Sequence, residues 1–202
     1  DSVSGDSLWR IDGAAQFSAD LQEIEIDWVS GSIRLLPANV SSIQVSESGK
    51  DISKYPMICK QDGQTLKIEY CGNTTFGDLK NLKFSKDLTI LVPMDWNGRA
   101  VKVDAASAKL SVQDLTIEEV EIDTASGSSQ FDNCTINSLD IDTASGDVYF
   151  EGSLNKLDCD SASAGVQAVL SNVPYEIDMD TASGCLELFL PEDAGFSVKM
   201  DT

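Results

Sequence analysis

The sequence predicts an all-β fold, a single-chain β-solenoid similar to a β-helix, with coils of about 19 residues and a less regular N-terminal half. Two patterns predict it. Apolar and polar residues alternate in short runs, as at Val120/Ile122 and Leu139/Ile141, which is typical of half-buried strands. A phrase of the type Asp-Thr-Ala-Ser-Gly also returns at a nearly fixed spacing, which is typical of stacked coils.

The spacing of the phrase sets the size of a coil. Its first residue is Asp104, Asp123, Asp142, Asp160, Asp180 and Asp201, so the steps are 19, 19, 18, 20 and 21 residues. At ~3.3 Å per residue, such a step traces about 60 Å. That length fits two or three short strands with corners. No twelve-residue window keeps the apolar stripe of an amphipathic helix.

We expect one continuous domain with two parts. Residues 101–202 hold the regular solenoid repeats, and residues 1–100 form an irregular β part of the same solenoid. Pro37, Pro93 and Pro191 follow similar apolar runs in both parts, and proline ends a strand because it donates no ladder hydrogen bond. Residues 47–87 predict an insertion with a hairpin and longer loops. A turn at Asp62-Gly63 would place Cys59 opposite Leu66, not Cys71.

The cysteines predict packing rather than chemistry, although a disulfide framework stays open. Their number is five, so at least one is unpaired within a monomer. Cys159 takes the place of Ile141 in the alignment, which predicts a small buried apolar side chain. No cysteine spacing matches a metal knuckle or a redox motif.

Charge excludes several partners. The formal net charge is −20, with 14 acidic and 10 basic residues in 1–100 but 20 acidic and 4 basic residues in 101–202. Nucleic acid and anionic membranes need a basic surface, so we expect neither as a partner. No stretch approaches the ~20 apolar residues of a membrane span. Cations, basic proteins and neutral glycans remain compatible with this charge.

The repeated phrase predicts architecture, not catalysis. A serine nucleophile needs a base, usually histidine, and the sequence has no histidine. Asp and Ser can accept backbone hydrogen bonds, Ala fits a crowded corner, and Gly permits positive φ. We therefore assign no catalytic, cofactor-binding or metal-ligating residue. The predicted corner residues are Asp123, Ser126, Gly127, Asp142, Ser145, Gly146, Asp160, Ser163, Asp180, Ser183 and Gly184.

Strand alternation predicts a ladder of carboxylates. Asp142, Asp160 and Asp180 should lie on neighbouring strands, opposite the buried positions. Like charges in that arrangement repel. Either salt screens them or a cation such as calcium lies between them. Carboxylates that point the same way seldom converge on one ion, so the sequence favours screening.

The phrase, the strand ends of the type Leu-Pro-x-Asp and the opening IEIDWVSGSIRL at residues 24–35 resemble a bacterial adhesin-type domain family of unknown function. The resemblance covers nearly the whole chain and is strongest over residues 101–202. It implies a β-solenoid domain that is exported or held at the bacterial surface. We expect an extracellular or cell-surface location, with an anchor in a segment that this chain lacks. The family offers no catalytic residue.

Two functions of different classes follow. The first is a non-enzymatic surface module that binds a protein or a glycan, with Trp9, Trp28 and Trp96 as candidate ligand aromatics if they are exposed rather than buried. The alternative is a polysaccharide-active parallel β-helix enzyme, although an acidic substrate would need a basic groove. Some members of the family accompany cell-envelope stress systems, so an accessory role there is a further alternative.

Overall fold

The structure, a computed structural model, describes residues 7–11, 13–72, 84–195 and 197, with side chains described from Gly13 onward. These residues contain strands and no helix. The strands are β1 Ser7–Ile11, β2 Ala14–Phe17, β3 Glu23–Trp28, β4 Gly31–Ala38, β5 Ile43–Gly49, β6 Met57–Asp62, β7 Thr65–Glu69, β8 Lys86–Pro93, β9 Asn97–Ala105, β10 Lys109–Gln113, β11 Thr116–Thr124, β12 Ser129–Thr143, β13 Val148–Ser161, β14 Gly165–Leu170, β15 Glu176–Thr181 and β16 Cys185–Phe189.

The strands form one curled, solenoid-like sheet with two faces. The first face runs β1-β6-β7-β3-β9-β11-β12, and the second runs β2-β5-β8-β4-β10-β12. The long strands β12 and β13 belong to both faces, because their first residues pair on the second face and their later residues on the first. Along the stack, from β3 and β4 toward β15 and β16, the neighbouring strands are parallel.

Antiparallel strands occupy the N-terminal end. β6 and β7 form the hairpin expected within residues 47–87, and β7 then adds in parallel to the edge of β3. The predicted register was wrong: Cys59 lies opposite Ile68, because the two-residue turn is Gly63-Gln64 rather than Asp62-Gly63, so Asp62 pairs with Thr65. Cys59 and Cys159 are free and fully buried, so both pack as apolar residues.

The core consists of inward ladders that run along the stack. Ile122, Ile141, Cys159 and Met179 occupy successive rungs of one ladder, as the alignment predicts. The first three are at most 2% exposed, whereas Met179 on the last described rung is only half-buried. The continuous ladder lets each rung bury its apolar side chains against both neighbours, which a single coil could not do alone.

The aligned Asp201 lies outside the described residues. Within the part of the chain that the structure covers, no helix is long and apolar enough to cross a membrane.

Candidate functional site

The most distinctive surface is a ladder of aspartates on the first face, which we call the acidic ladder. The outward residue near the end of each strand pairs with its equivalent on the next strand. All of these side chains are exposed. The ladder comprises Asp27, Asp104, Asp123, Asp142, Asp160 and Asp180. It is longer than the Asp142–Asp160–Asp180 set that the charge argument considered, because the N-terminal strands continue it.

A second outward ladder runs beside the first and contains one base, Lys102. It comprises Glu25, Lys102, Glu121, Asp140, Asp158 and Asp178. The Lys102 ammonium lies 2.8 Å from the Glu121 carboxylate, and Lys67 on β7 lies 3.4 Å from Glu25. The bases therefore neutralise the N-terminal rungs, whereas Asp140, Asp158 and Asp178 follow one another without a base between them.

The crowding of carboxylates changes their proton affinity. Partial burial and then the charges of Asp104 and Asp142 raise the pKa of Asp123. Burial and the neighbouring Asp158 raise the pKa of Asp140. Burial, Asp104 and Glu69 likewise raise the pKa of Asp27. Each carboxylate is costlier to ionise because nearby protein atoms displace water from it and, second, because its neighbours are already charged.

The repeated phrase lies between successive strands, and its threonine, serine and glycine residues make other contacts than those expected from the sequence. Threonine accepts the backbone hydrogen bond: the Gly146 N–H donates to Thr143 Oγ1 at 2.9 Å, and the Gly184 N–H donates to Thr181 Oγ1 at 2.8 Å. Serine donates instead of accepting, since Ser183 Oγ bonds the Ala162 carbonyl of the preceding coil at 3.2 Å. The same Ser-to-carbonyl contact joins Ser145 to Ala125 and Ser163 to Ala144.

The glycines of the phrase are required by close approach, not by positive φ. A Cβ on Gly127 would lie 1.8 Å from the Ala108 carbonyl oxygen, and one on Gly146 would lie 2.0 Å from that of Gly127. A Cβ on Gly184 would likewise lie 2.2 Å from the Ala164 carbonyl oxygen. Their φ values are outside the left-handed region. The neighbouring coil's backbone thus passes where a side chain would begin.

The residues with positive φ lie at a different corner, which the sequence analysis did not identify. Asp114, Asn133 and Gly152 have φ of 54°, 52° and 141°, and they stand where the chain turns from the second face to the first. Asn133 Nδ2 donates to Asp114 Oδ1 at 2.6 Å, joining two such corners. Asn and Asp tolerate this region better than other non-glycine residues. Their 19-residue spacing was the available signal.

Two of the three candidate ligand aromatics are buried, which corrects the prediction that they could bind a glycan. Trp28 is 1% and Trp96 6% exposed. Their indole N–H groups donate to the Lys86 carbonyl at 3.0 Å and the Leu21 carbonyl at 2.8 Å. These hydrogen bonds satisfy the one polar atom of each ring, so both rings serve the core. The Trp9 side chain lies outside the described residues.

A buried ion pair, which the sequence analysis missed, fixes the N-terminal end. Lys86 and Glu47 are fully buried side chains with a 2.6 Å contact between Nζ and Oε2. Lys86 also donates to the carbonyls of Tyr55 and Tyr70, and Glu47 accepts from the Met57 N–H at 2.8 Å. Burial lowers the Lys86 pKa, partly offset by Glu47. The pair joins β5, β6, the end of β7 and β8.

The arrangement suits electrostatic recognition better than covalent chemistry. Burial raises the pKa of the Cys59 thiol to about 12 and that of Cys159 to about 11, which disfavours the nucleophilic thiolate. Among the residues that the structure describes, no cluster of three or more His, Cys, Asp or Glu side chains could hold a metal ion. The two ladders attract cations and offer many hydrogen-bond acceptors.

Comparison with known proteins identifies the family. No curated protein matches the sequence. A Clostridium sporogenes protein named as a cell adhesion protein is similar in structure, with 8% identity, a TM-score of 0.44, and coverage of 93% of this chain and 99% of that one. Two proteins named as adhesins share 12% identity. The first, from Bacteroides fragilis, has a TM-score of 0.41 and coverage of 94% and 98%. The second, from Parabacteroides merdae, has a TM-score of 0.38 and coverage of 91% and 95%. Because the Toastrack DUF4097 family matches residues 21–184, which is most of the sequence, the chain belongs to that family.

Proposed function

We propose that this protein is a non-enzymatic, exported or cell-surface module that binds a basic region of a partner protein along its acidic ladder. The observation that carries the proposal is the in-register exposure of the acidic ladder from Asp27 to Asp180. Such a row concentrates negative potential on one face and steers a cationic partner toward it.

A protein partner is favoured over a glycan because of where the aromatics lie. Carbohydrate binding usually exposes aromatic rings, and Trp28 and Trp96 are buried and hydrogen-bonded. An enzyme acting on acidic polysaccharides is disfavoured by the same ladder, since an anionic substrate would be repelled. The burial of the Cys59, Cys134 and Cys159 thiols and the absence of histidine from the sequence give nucleophilic catalysis little support.

The wider organisation belongs to the same proposal. Residues 101–202 are regular solenoid coils of about 19 residues, and residues 1–100 are the irregular beginning of the same domain, with an insertion at about 47–87. The phrase residues from Asp123 to Gly184 serve as structural corners. Placement at the bacterial surface rests on what the family resemblance implies.

Binding of a lysine-rich peptide at increasing salt tests the function. We expect affinity to fall steeply with salt, because exposed charges are screened over about 10 Å at 0.1 M. Asp123→Asn/Asp142→Asn should weaken binding severalfold. Glu151→Gln/Glu187→Gln removes the same charge from exposed side chains of the second face and should change it little. Equal losses in both variants, or tighter binding of neutral dextran than of the peptide, would reject the proposal.

A further inference from the structure

A row of uncharged polar side chains runs along the outside of the second face, and we call it the neutral ladder. It comprises Ser111, Gln130, Tyr149 and Gln167, each of which pairs with the next on a neighbouring strand. Their strands β10, β12, β13 and β14 are paired on both sides, so the ladder lies on the surface of the sheet and not at an edge. At about 4.8 Å per strand, it is about 14 Å long.

Strand alternation turns the members of the neutral ladder outward. Val148 and Phe150, the residues on both sides of Tyr149, are only 3% and 1% exposed. In contrast, Gln130 is exposed, and Tyr149 and Gln167 are half-buried. Tyr149 is therefore an aromatic ring at the protein surface, placed between two amides on the neighbouring strands.

The ring and both amides are held in place by outward carboxylates. The hydrogen-bonded pairs are Gln130 Nε2 and Asp132 Oδ2 at 2.9 Å, Gln167 Nε2 and Glu187 Oε2 at 3.2 Å, and the Tyr149 hydroxyl and Glu151 Oε2 at 3.4 Å. In each pair the amide or the hydroxyl donates and the carboxylate accepts. A side chain that is already fixed loses less conformational entropy when a ligand binds to it. The three side chains are thus arranged in advance for a contact from outside.

A surface depression lies beside the Tyr149 ring. Gln130, Tyr149, Gln167 and Asp147 line it together with Gly165, which contributes no side chain and so leaves space between its neighbours. The Gly165 N–H donates to Asp147 Oδ1 at 2.9 Å, which fixes this carboxylate as well. The depression therefore combines one aromatic ring with a few oriented polar groups, as ligand sites commonly do.

The charges around the neutral ladder favour an uncharged ligand. The ladder itself has no charge, and it lies between Arg34 at one end and Glu187 at the other. Asp147 and Glu151 beside it disfavour acidic glycans, because like charges repel. A basic segment would find a longer row of carboxylates on the acidic ladder of the first face.

A neutral sugar chain matches the groups of the neutral ladder. The C–H groups of a sugar ring pack against an aromatic face, and its hydroxyls both donate to and accept from side-chain amides. A chain with β-1,4 links is straight and flat, so its successive sugars can meet successive strands of the ladder. A coiled or flexible chain would first have to be ordered, which costs affinity.

We propose that the neutral ladder binds an extended, uncharged, β-linked glycan, with one sugar stacked on the Tyr149 ring and its neighbours hydrogen-bonded to Gln130 and Gln167. This site is independent of the proposed function, which places a basic protein on the acidic ladder. The two buried tryptophans stay in the core, and the exposed aromatic ring that a glycan site needs is a tyrosine that the sequence analysis did not single out.

Titration with cellohexaose, an uncharged chain of β-1,4-linked glucose, tests the site. Isomaltohexaose, which has the same sugars in flexible α-1,6 links, is the control ligand and should bind several times more weakly. Because cellohexaose has no charge to screen, its affinity should stay constant as the salt concentration rises. In NMR spectra, the amide signals of Gln130, Tyr149 and Gln167 should shift on binding, and those of Asp123 and Asp142 should not.

Variants of the aromatic ring locate the contact. Tyr149→Ala should weaken cellohexaose binding about tenfold, because it removes the stacking surface. Tyr149→Phe keeps the ring and should stay close to the unchanged protein. Tyr175→Ala is the matched control, since it removes a tyrosine that is 70% exposed but lies away from the ladder, and it should change nothing. Thermal midpoints near that of the unchanged protein show that all three variants are folded.

Other outcomes reject the proposal in separate ways. No binding of cellohexaose, or equal losses in Tyr149→Ala and Tyr175→Ala, would exclude the site. Affinity for cellohexaose that falls steeply with salt would mean that charges and not the neutral ladder make the contact. Asp123→Asn/Asp142→Asn should leave cellohexaose binding unchanged while it weakens binding of the lysine-rich peptide. Either function can therefore fail while the other holds.

Discussion

A single side-chain hydroxyl accepts a backbone hydrogen bond at the four corners of Thr124, Thr143, Ser161 and Thr181. Thr143 is 2% exposed and accepts the Gly146 N–H at 2.9 Å. Thr124 accepts from Gly127 at 3.1 Å in the same way, and where the chain has Ser161 instead, the Ala164 N–H donates to it at 3.4 Å. At these corners the hydroxyl satisfies a buried donor that has no strand partner, whereas Ala105 on β9 and Trp28 on β3 occupy the equivalent place without a hydroxyl.

Thr143→Val tests this role. The substitution keeps the shape of the side chain but leaves the buried Gly146 N–H without an acceptor, and we expect a loss of about 1–3 kcal/mol in the free energy of unfolding. Thr143→Ser keeps the acceptor and should lose clearly less. Urea denaturation of the two variants measures the difference. A valine variant as stable as the serine variant would show that the hydroxyl is dispensable.

At the scale of the strand, alternation separates a buried ladder from a charged one. In β12, Ile141 is 1% exposed and lies between Ile122 and Cys159. The next residue, Asp142, points to solvent between Asp123 and Asp160. Neighbouring residues of one strand therefore have opposite requirements, the first for an apolar side chain and the second for a small polar one.

Ile141→Asp and Asp142→Asn should consequently have different effects on the stability of the fold. The first buries an unpaired carboxylate between two apolar rungs, and we expect it to unfold the domain because the cost of several kcal/mol approaches the whole stability of a domain. The second relieves repulsion and should leave the thermal midpoint unchanged or raise it. Circular dichroism melts of both variants check the order. The reverse order would mean that the inward and outward faces are misassigned.

At the scale of the whole molecule, like charges accumulate along the stack. The formal net charge is −20, and the pKa of each of Asp27, Asp123 and Asp140 is raised in the folded state, by burial first and neighbouring carboxylates second. The fold holds these charges together although they repel, so its stability depends on solution conditions that neutralise or screen them.

Mild acid should stabilise the protein. A carboxyl whose pKa is higher in the folded than in the unfolded chain binds its proton more tightly when folded. The folded state therefore gains stability from this group as the pH falls from 7 toward the raised pKa. We expect the thermal midpoint to be higher at pH 5 than at pH 7. Asp123→Asn/Asp140→Asn should reduce that difference. A midpoint that falls between pH 7 and pH 5 would contradict the prediction.

Salt should stabilise the fold by screening, with sodium and calcium similar at equal ionic strength. The six exposed carboxylates of the acidic ladder lie on separate strands and point the same way, which does not suit the six to eight converging oxygens that calcium prefers. Melting curves in the two chlorides, matched for ionic strength, provide the measurement. A saturating shift of several degrees in calcium alone, lost in Asp142→Asn, would indicate a specific site.

The sequence alone determined the all-β class, the hairpin within residues 47–87 and the ladder from Ile122 to Met179, because period-2 alternation and the returning phrase are local patterns. Only the tertiary structure decided the roles of the phrase residues. Gly146 is required by the carbonyl of the neighbouring coil, and that approach depends on residues about 19 positions away. The Lys86–Glu47 pair and the burial of Trp28 likewise depend on which strands meet. Contacts between distant segments leave no local pattern, so they could not be predicted from residue order.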